Sequence, residues 1–321
     1  MAMGIGLEVY RLLRDGQVDE ALARVRAHVA REGGAGAFYE VDRHGDSAFD
    51  LWSEIGNATL LAELETLGVP WDLRSAARWG RVVVLERLLD EAGDGVGAAL
   101  AARDRRGFSA LDNALACGQL EAARRLLARD PLALDDPRSH AVWAALRARA
   151  AEVLEFAFAH GARADAGPSS RTALHHECNH GRTKLVPVLL AAGADPEARD
   201  ADDHDRSALH MAAQRGNMAR LCGVLVAAGA RLDAVDARGE TALDIARRAR
   251  GDGAARWLRR EQAREGLLAA IRADDTAALD AILDGEAGLL DERFSRPGHV
   301  DVTPLCYAVT RARGRAARRL L

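Results

Sequence analysis

A chain of 321 residues with a formal net charge of −4 is long enough to bury a large apolar core, and it lacks the clustered positive charge that nucleic-acid binding requires. Its cysteines, Cys117, Cys178, Cys222 and Cys306, lie far apart and form no C-x-x-C pair, which argues against a zinc knuckle or a disulfide framework and for reduced thiols. No segment is apolar for long enough to span a bilayer, and the N-terminal stretch has no basic region followed by a sustained apolar run, so a cytoplasmic protein with neither membrane nor nucleic-acid partner is expected.

In chain order, short apolar segments alternate with single turn residues. Turns between paired helices are predicted at Gly16, Gly56, Gly80, Gly118, Arg149, Gly181, Gly216, Arg250, Asp274 and Ala312, which makes ten candidate units. The first, Val9 to Val25, is the most degenerate, whereas Ser109-Ala-Leu-Asp-Asn-Ala114 followed by Leu126-Leu127 is a strong copy. In the middle of the chain, Thr172-Ala-Leu-His-His-Glu-Cys-Asn-His-Gly181 aligns with Ser207-Ala-Leu-His-Met-Ala-Ala-Gln-Arg-Gly216. Downstream, Val188-Leu-Leu-Ala-Ala-Gly193 aligns with Val224-Leu-Val-Ala-Ala-Gly229. Thr241-Ala-Leu-Asp-Ile-Ala246 opens a third copy, so that starts at 172, 207 and 241 lie 35 and 34 residues apart. Thr303-Pro304-Leu305 with Leu320-Leu321 is the last.

The pattern has a physical reading. A Ser or Thr caps a short helix with small inner-face residues, a turn reverses the chain, and a second helix carries Val and Leu-Leu at helical spacing before a Gly cap. Neither helix can bury its apolar stripe alone, so the copies must stack. The T-A-L-H opening and the L-L-A-A-G-A-D close resemble the ankyrin repeat. The resemblance implies an all-α solenoid of helix-turn-helix units with short β-turn fingers. It extends as a single array over 1–321, clearest over 104–260 and degenerate over 7–103 and 264–321.

Two spacings between turns, Gly56 to Gly80 and Arg250 to Asp274, are only 24 residues and leave no room for a finger. Gly68–Asp72 and Arg259–Ala263 should therefore run almost directly into the next helix, while Asp90–Gly95 and Gly285–Asp301 should be long loops.

Inside the unit that opens at Thr172 lies His175-His176-Glu177-Cys178-Asn179-His180. From His176 it reads H-E-x-x-H, a spacing that sets two imidazoles on one helical face as zinc ligands with a glutamate as general base. The extended motif requires a histidine at position 186, which is Val186, and the helix should end at Gly181. A metal-dependent hydrolase built on His176, Glu177 and His180 is the minor alternative, and neither metal nor cofactor is expected. The resemblance implies instead that His175 and its equivalent His210 brace the loops between neighbouring units. Glu177 falls on the packed side, where a carboxylate is costly unless it meets an arginine, a histidine or backbone donors. Asp200–Asp205 lacks the Gly and terminal Glu of a calcium loop and is read as a solvated finger.

A repeat solenoid binds along a concave face built from finger tips and first-helix ends. The residues before each turn place Arg78, Trp79, Arg147, Asn179, His180, Gln214, Arg215 and Arg248 on that strip, with most guanidinium groups expected to lack an intramolecular partner. A non-enzymatic protein-interaction scaffold that docks an acidic segment of another protein is the leading expectation. An inhibitor or immunity protein that blocks a partner enzyme is the other binding alternative.

Overall fold

The computed structural model describes residues 2–32, 52, 55, 57–68, 71–104, 107–135, 140–166, 169–215, 218–249, 252–289, 294–296, 299–310 and 313–321. These residues are mainly helical and gather into two compact units, Met1–Leu174 with Lys184–Asp195, and His175–Thr183 with Pro196–Leu321.

In the first unit, helices come in pairs: α1 (Ala2–Arg14) and α2 (Val18–Glu32), then α3 (Ala58–Thr66), then α4 (Leu73–Arg78) with α5 (Val82–Glu91). A short α6 (Val96–Ala101) precedes the pairs α7 (Ala110–Ala116) with α8 (Leu120–Arg129) and α9 (Ala141–Ala148) with α10 (Ala151–Ala159). Along the chain come next α11 (Ala173–His180), which belongs to the second unit from His175 onward, and α12 (Val186–Ala191) of the first unit, and then, in the second unit, α13 (Ala208–Gln214) with α14 (Ala219–Ala227) and α15 (Ala242–Arg248). The second unit continues through α16 (Asp252–Ala273), α17 (Thr276–Gly285), a hairpin of β1 (Phe294–Arg296) and β2 (His299–Val302), α18 (Pro304–Thr310) and α19 (Gly314–Leu320).

The caps and turns are where the residue types place them. Capping boxes start α4 at Asp72 with Ser75, α7 at Ser109 with Asp112, α13 at Ser207 with His210, and α15 at Thr241 with Asp244, satisfying backbone donors that a helix start leaves open. Of the turn residues expected from the sequence, Gly16, Gly80, Gly118, Arg149, Gly181 and Asp274 all have left-handed backbone, with φ between 55° and 78°. Gly56, Gly216, Arg250 and Ala312 lie outside the described residues. At Gly181 the absence of a side chain also matters for packing, because a Cβ there would lie 2.8 Å from the Met218 methyl.

The second helix of each pair buries the expected stripe: Leu85 and Leu89, Leu126 and Leu127, Val153 and Leu154, Val186 and Leu189, and Leu221 and Leu225 are all buried. The short spacing at Arg250–Asp274 resolves more drastically than expected. Arg259–Ala263 is not a connection at all but the middle of the 22-residue α16, so that a second helix and the following first helix are fused. The long connection after Gly285 holds a 3-10 turn, Ala287–Leu289, and the β1–β2 hairpin, and the one after Asp90 holds a 3-10 turn, Gly93–Gly95, and α6.

Candidate interaction surface

The fingers are fixed by a recurring polar construction. Asp104, Asp200 and Asp236 open them, five residues before the capping Ser109 and Thr241 and seven before Ser207. Each of these aspartates donates its own N–H across the finger at 2.9 Å, to the carbonyls of Phe108, Arg206 and Glu240 respectively. Antiparallel bridges Asp200–Arg206 and Val235–Thr241 mark the finger bases in the second unit. Asp200–Asp205 is thus only partly the solvated finger expected: Asp202, His204 and Asp205 are exposed at the tip, but Asp200 is fully buried, and Arg206 beside the segment is buried too, because both sit at the base.

Histidines brace these fingers. His175 Nε2 lies 3.0 Å from the carbonyls of both Ala198 and Arg206, and His210 Nε2 lies 3.1 and 3.2 Å from those of Ala234 and Glu240. Carbonyls only accept, so both Nε2 atoms carry the proton and donate. At His210 the Ser207 N–H donates to Nδ1 at 3.2 Å, which fixes the neutral tautomer. Burial, and then the positive charge of Arg199, lower the His210 pKa against the pull of the Glu240 and Ala234 carbonyls and Asp236. A depressed folded-state pKa means that this contribution to stability is complete above the unfolded imidazole value of about 6.5 and is lost as pH falls from there toward the folded value. Urea midpoints should decline on acidification through that range, and the decline should be shallower in His210→Gln. Equal slopes would show that the ring titrates alike in both states.

The H-E-x-x-H residues have separate structural engagements. Glu177 is fully buried and meets Arg182, Oε1 to Nη1 at 3.5 Å, the arginine partner that a packed carboxylate requires. His180 is exposed and donates from Nδ1 to the His176 carbonyl at 2.8 Å, and the two rings lie 4.2 Å apart between centroids, tilted by 36°. Among the described residues, no three His, Cys, Asp or Glu side chains are grouped to hold a metal ion. Burial pushes the Cys178 thiol well up and the Cys222 thiol up to about 12, so both are packing residues rather than nucleophiles.

The expected arginine strip does not assemble as a whole. Arg78 and Trp79 are buried, 4% and 7% exposed. Arg78 donates to Asn113 Oδ1 at 2.9 Å, and Trp79 joins a core with Val9, Leu13, Trp52, Leu60 and Leu64. The reason is that apolar side chains of α1 and α3, together with Trp52, close on the indole. The expectation of unpartnered guanidinium groups fails as well: Arg215 donates to the Asn179 carbonyl, and Arg248 pairs with Glu240. Arg147 is exposed in the first unit, and in the second His180, Gln214, Arg215 and Arg248 are exposed and Asn179 is half-buried. The residue that sequence reasoning missed is Arg206, whose buried guanidinium reaches Asp236 at 3.3 Å. The recurrence of Asp at the finger start was the available signal.

Paired short helices, left-handed turns and histidine-braced fingers define a stacked helical-repeat protein. Residues 169–201 and 204–237 match the family model of the ankyrin repeat, so the chain carries ankyrin repeats there. Among curated proteins, the glycerophosphocholine phosphodiesterase of Schizosaccharomyces pombe is 40% identical over 78 residues, 24% of this chain and 7% of that protein, so the chain spans a small part of it. Among solved structures, a chain from the complex of a predatory endopeptidase of Bdellovibrio bacteriovorus with an immunity protein is 24% identical. That match has a TM-score of 0.49 and covers 60% of this chain and 98% of that one. Among the described residues, no helix is long and apolar enough to cross a membrane.

Proposed function

We propose that this chain is a non-enzymatic module that binds another protein, and that the array runs over the whole of 1–321 in ten units. Ankyrin repeats are protein-interaction modules, and one observation carries the choice of surface. In the second unit the ends of three successive first helices present polar side chains, His180, Gln214 with Arg215, and Arg248, while the rest of each helix is largely buried. Arg147 extends the same assignment to the first unit. Arg78 and Trp79 are no longer part of it. The two arginines of the second unit favour an acidic segment as partner, and rim charges of this kind act mainly on association rate and salt dependence.

The experiment is capture from native extract on immobilised protein, wild type against Arg215→Glu with Arg248→Glu. A captured protein that is lost with the double reversal, and that is released by raised salt, is the expected result. Capture untouched by the reversal would overturn this surface, and the absence of any saturable capture would overturn the binding reading itself.

A further inference from the structure

We propose that the depression between α6 and the turn after α8 is a docking site for a short segment of a partner protein that carries a large apolar residue beside a lysine or arginine. This rests on the reading of the chain as a protein-binding module, but on a different surface and on the opposite charge.

The depression, about 330 Å³, lies wholly in the first unit. Buried Leu111 and Leu126 line it together with half-buried Leu100 and with Leu132, which is 74% exposed. Two departures from the repeat make it. The connection after α5 holds α6, which supplies Leu100. After α8 the residue pattern changes. Counted from the buried Leu126, Leu189 and Leu225, the fourth residue on is Gly193 or Gly229 in the two clear repeats, with φ of 88° and 108°, but Asp130 here. The sixth is Asp195 or Arg231 in those repeats, but Leu132 here. A position that is charged in both of those copies is therefore an exposed leucine in this one. A lone exposed leucine needs no explanation, but one that extends an apolar depression belongs to a site.

Charge decides what fits. The polar residues of the lining are Arg103, Ser109 and Asp130. Arg103 donates to the Gly107 carbonyl at 3.0 Å and pairs with the buried Asp112 carboxylate at 3.3 Å. Ser109 is spent on its capping box with Asp112. Asp130 engages only its backbone, donating its N–H to the Leu126 carbonyl at 3.0 Å and accepting the Ala133 N–H at 3.3 Å, and its carboxylate has no partner among the described residues. It is also the C-cap of α8, where the negative end of the helix dipole adds to its own charge. An apolar bed with one uncompensated carboxylate matches an apolar side chain next to a cationic one, since the alkyl stem of lysine or arginine lies along apolar surface while its head reaches the oxygen. An acidic segment would meet both Asp130 and the helix end. The volume sits at the lower end of the roughly 300–1,000 Å³ of ligand clefts, room for side chains of a short segment rather than for a folded domain.

The test is fluorescence anisotropy with a labelled peptide, Lys-Leu-Leu-Lys between Gly-Ser flanks, compared with its Glu-Leu-Leu-Glu and Lys-Ser-Ser-Lys counterparts. The first should bind wild-type protein and the other two should not. Leu132→Ser should weaken binding about tenfold, the loss of one leucine contact, and Asp130→Lys at least about fivefold, with the latter effect shrinking as salt is raised. Thermal melting should be unchanged in both, because Leu132 is exposed and a lysine at a helix C-terminus is favourable. Should Leu132→Ser melt early, Leu132→Gln replaces it, with the same direction of effect expected. Arg215→Glu with Arg248→Glu should leave the peptide bound. Failure of wild type to bind Lys-Leu-Leu-Lys overturns the inference, as does equal binding of either counterpart or unchanged affinity in both variants. A dimer in analytical ultracentrifugation that Leu132→Ser dissociates would put a second copy in the depression and overturns it too. If protein capture is lost with the Arg215 and Arg248 reversal while the peptide ignores Leu132 and Asp130, the first surface stands and this one falls. If no protein is captured but the peptide is lost at Leu132 and Asp130, this surface stands and the first falls.

Discussion

Arg206→Ala is expected to lower folding stability by about 3–5 kcal/mol, the cost of leaving a buried charge without its partner. The Arg206 guanidinium, 6% exposed, lies 3.3 Å from both Asp203 and the fully buried carboxylate of Asp236. Asp236 also accepts the N–H groups of Arg238 at 2.8 Å and Glu240 at 3.0 Å. Burial pushes its carboxyl up, but the two backbone donors and Arg206 outweigh that and hold it below the usual carboxylate value. The sign follows: the contribution is complete above the unfolded value of about 3.9 and is lost as pH falls through the folded one. Without Arg206 the desolvation remains and one compensating donor is gone. Urea denaturation at neutral pH measures the loss, and the acid limb of stability against pH should flatten in the variant. A change below about 1 kcal/mol would mean that water takes the place of the guanidinium.

What the sequence made legible was local. Left-handed turn residues, capping Ser and Thr, and Leu-Leu spacing depend on backbone sterics and near neighbours, and at Gly118, Ser109 and Leu126 they land as read. His175 and His210 were legible through their place in the T-A-L-H opening, and Glu177 through the cost of burying a charge. The interaction strip was not legible at its first two positions, because exposure is a tertiary property. Trp79 has the local sequence of a helix end, and only the chain segments containing Val9, Trp52 and Leu60 make it a core residue. Arg206 was missed for the converse reason. A finger rich in Asp reads as solvated, and nothing local says that its base is sealed by the next finger. The fused helix α16 was half-visible: a 24-residue spacing removes the finger, but whether the chain then turns or continues depends on the absence of a breaker between Arg259 and Ala263.

The second large effect expected is at the core leucines. Leu189→Ala and Leu225→Ala should each cost about 2–5 kcal/mol, since both side chains are fully buried. The spread within that range depends on how far the surroundings can close on the cavity. Leu225 lies in α14, which packs against α13 on one side and the long α16 on the other, so two rigid neighbours hold the cavity open. Leu189 lies in α12, a six-residue helix whose principal neighbour within the same unit is α10, and a helix that short can shift toward the gap. Leu225→Ala should therefore fall near the upper end and Leu189→Ala near the lower. In a stacked array stability is a sum over neighbouring interfaces, so the loss at Leu225 should also appear as weakened amide protection across α13, α14 and α16 before global unfolding. Near-neutral effects at both leucines would mean that the repeat register is wrong. A larger loss at Leu189 than at Leu225 would mean that the number of rigid neighbours does not set the cavity cost here.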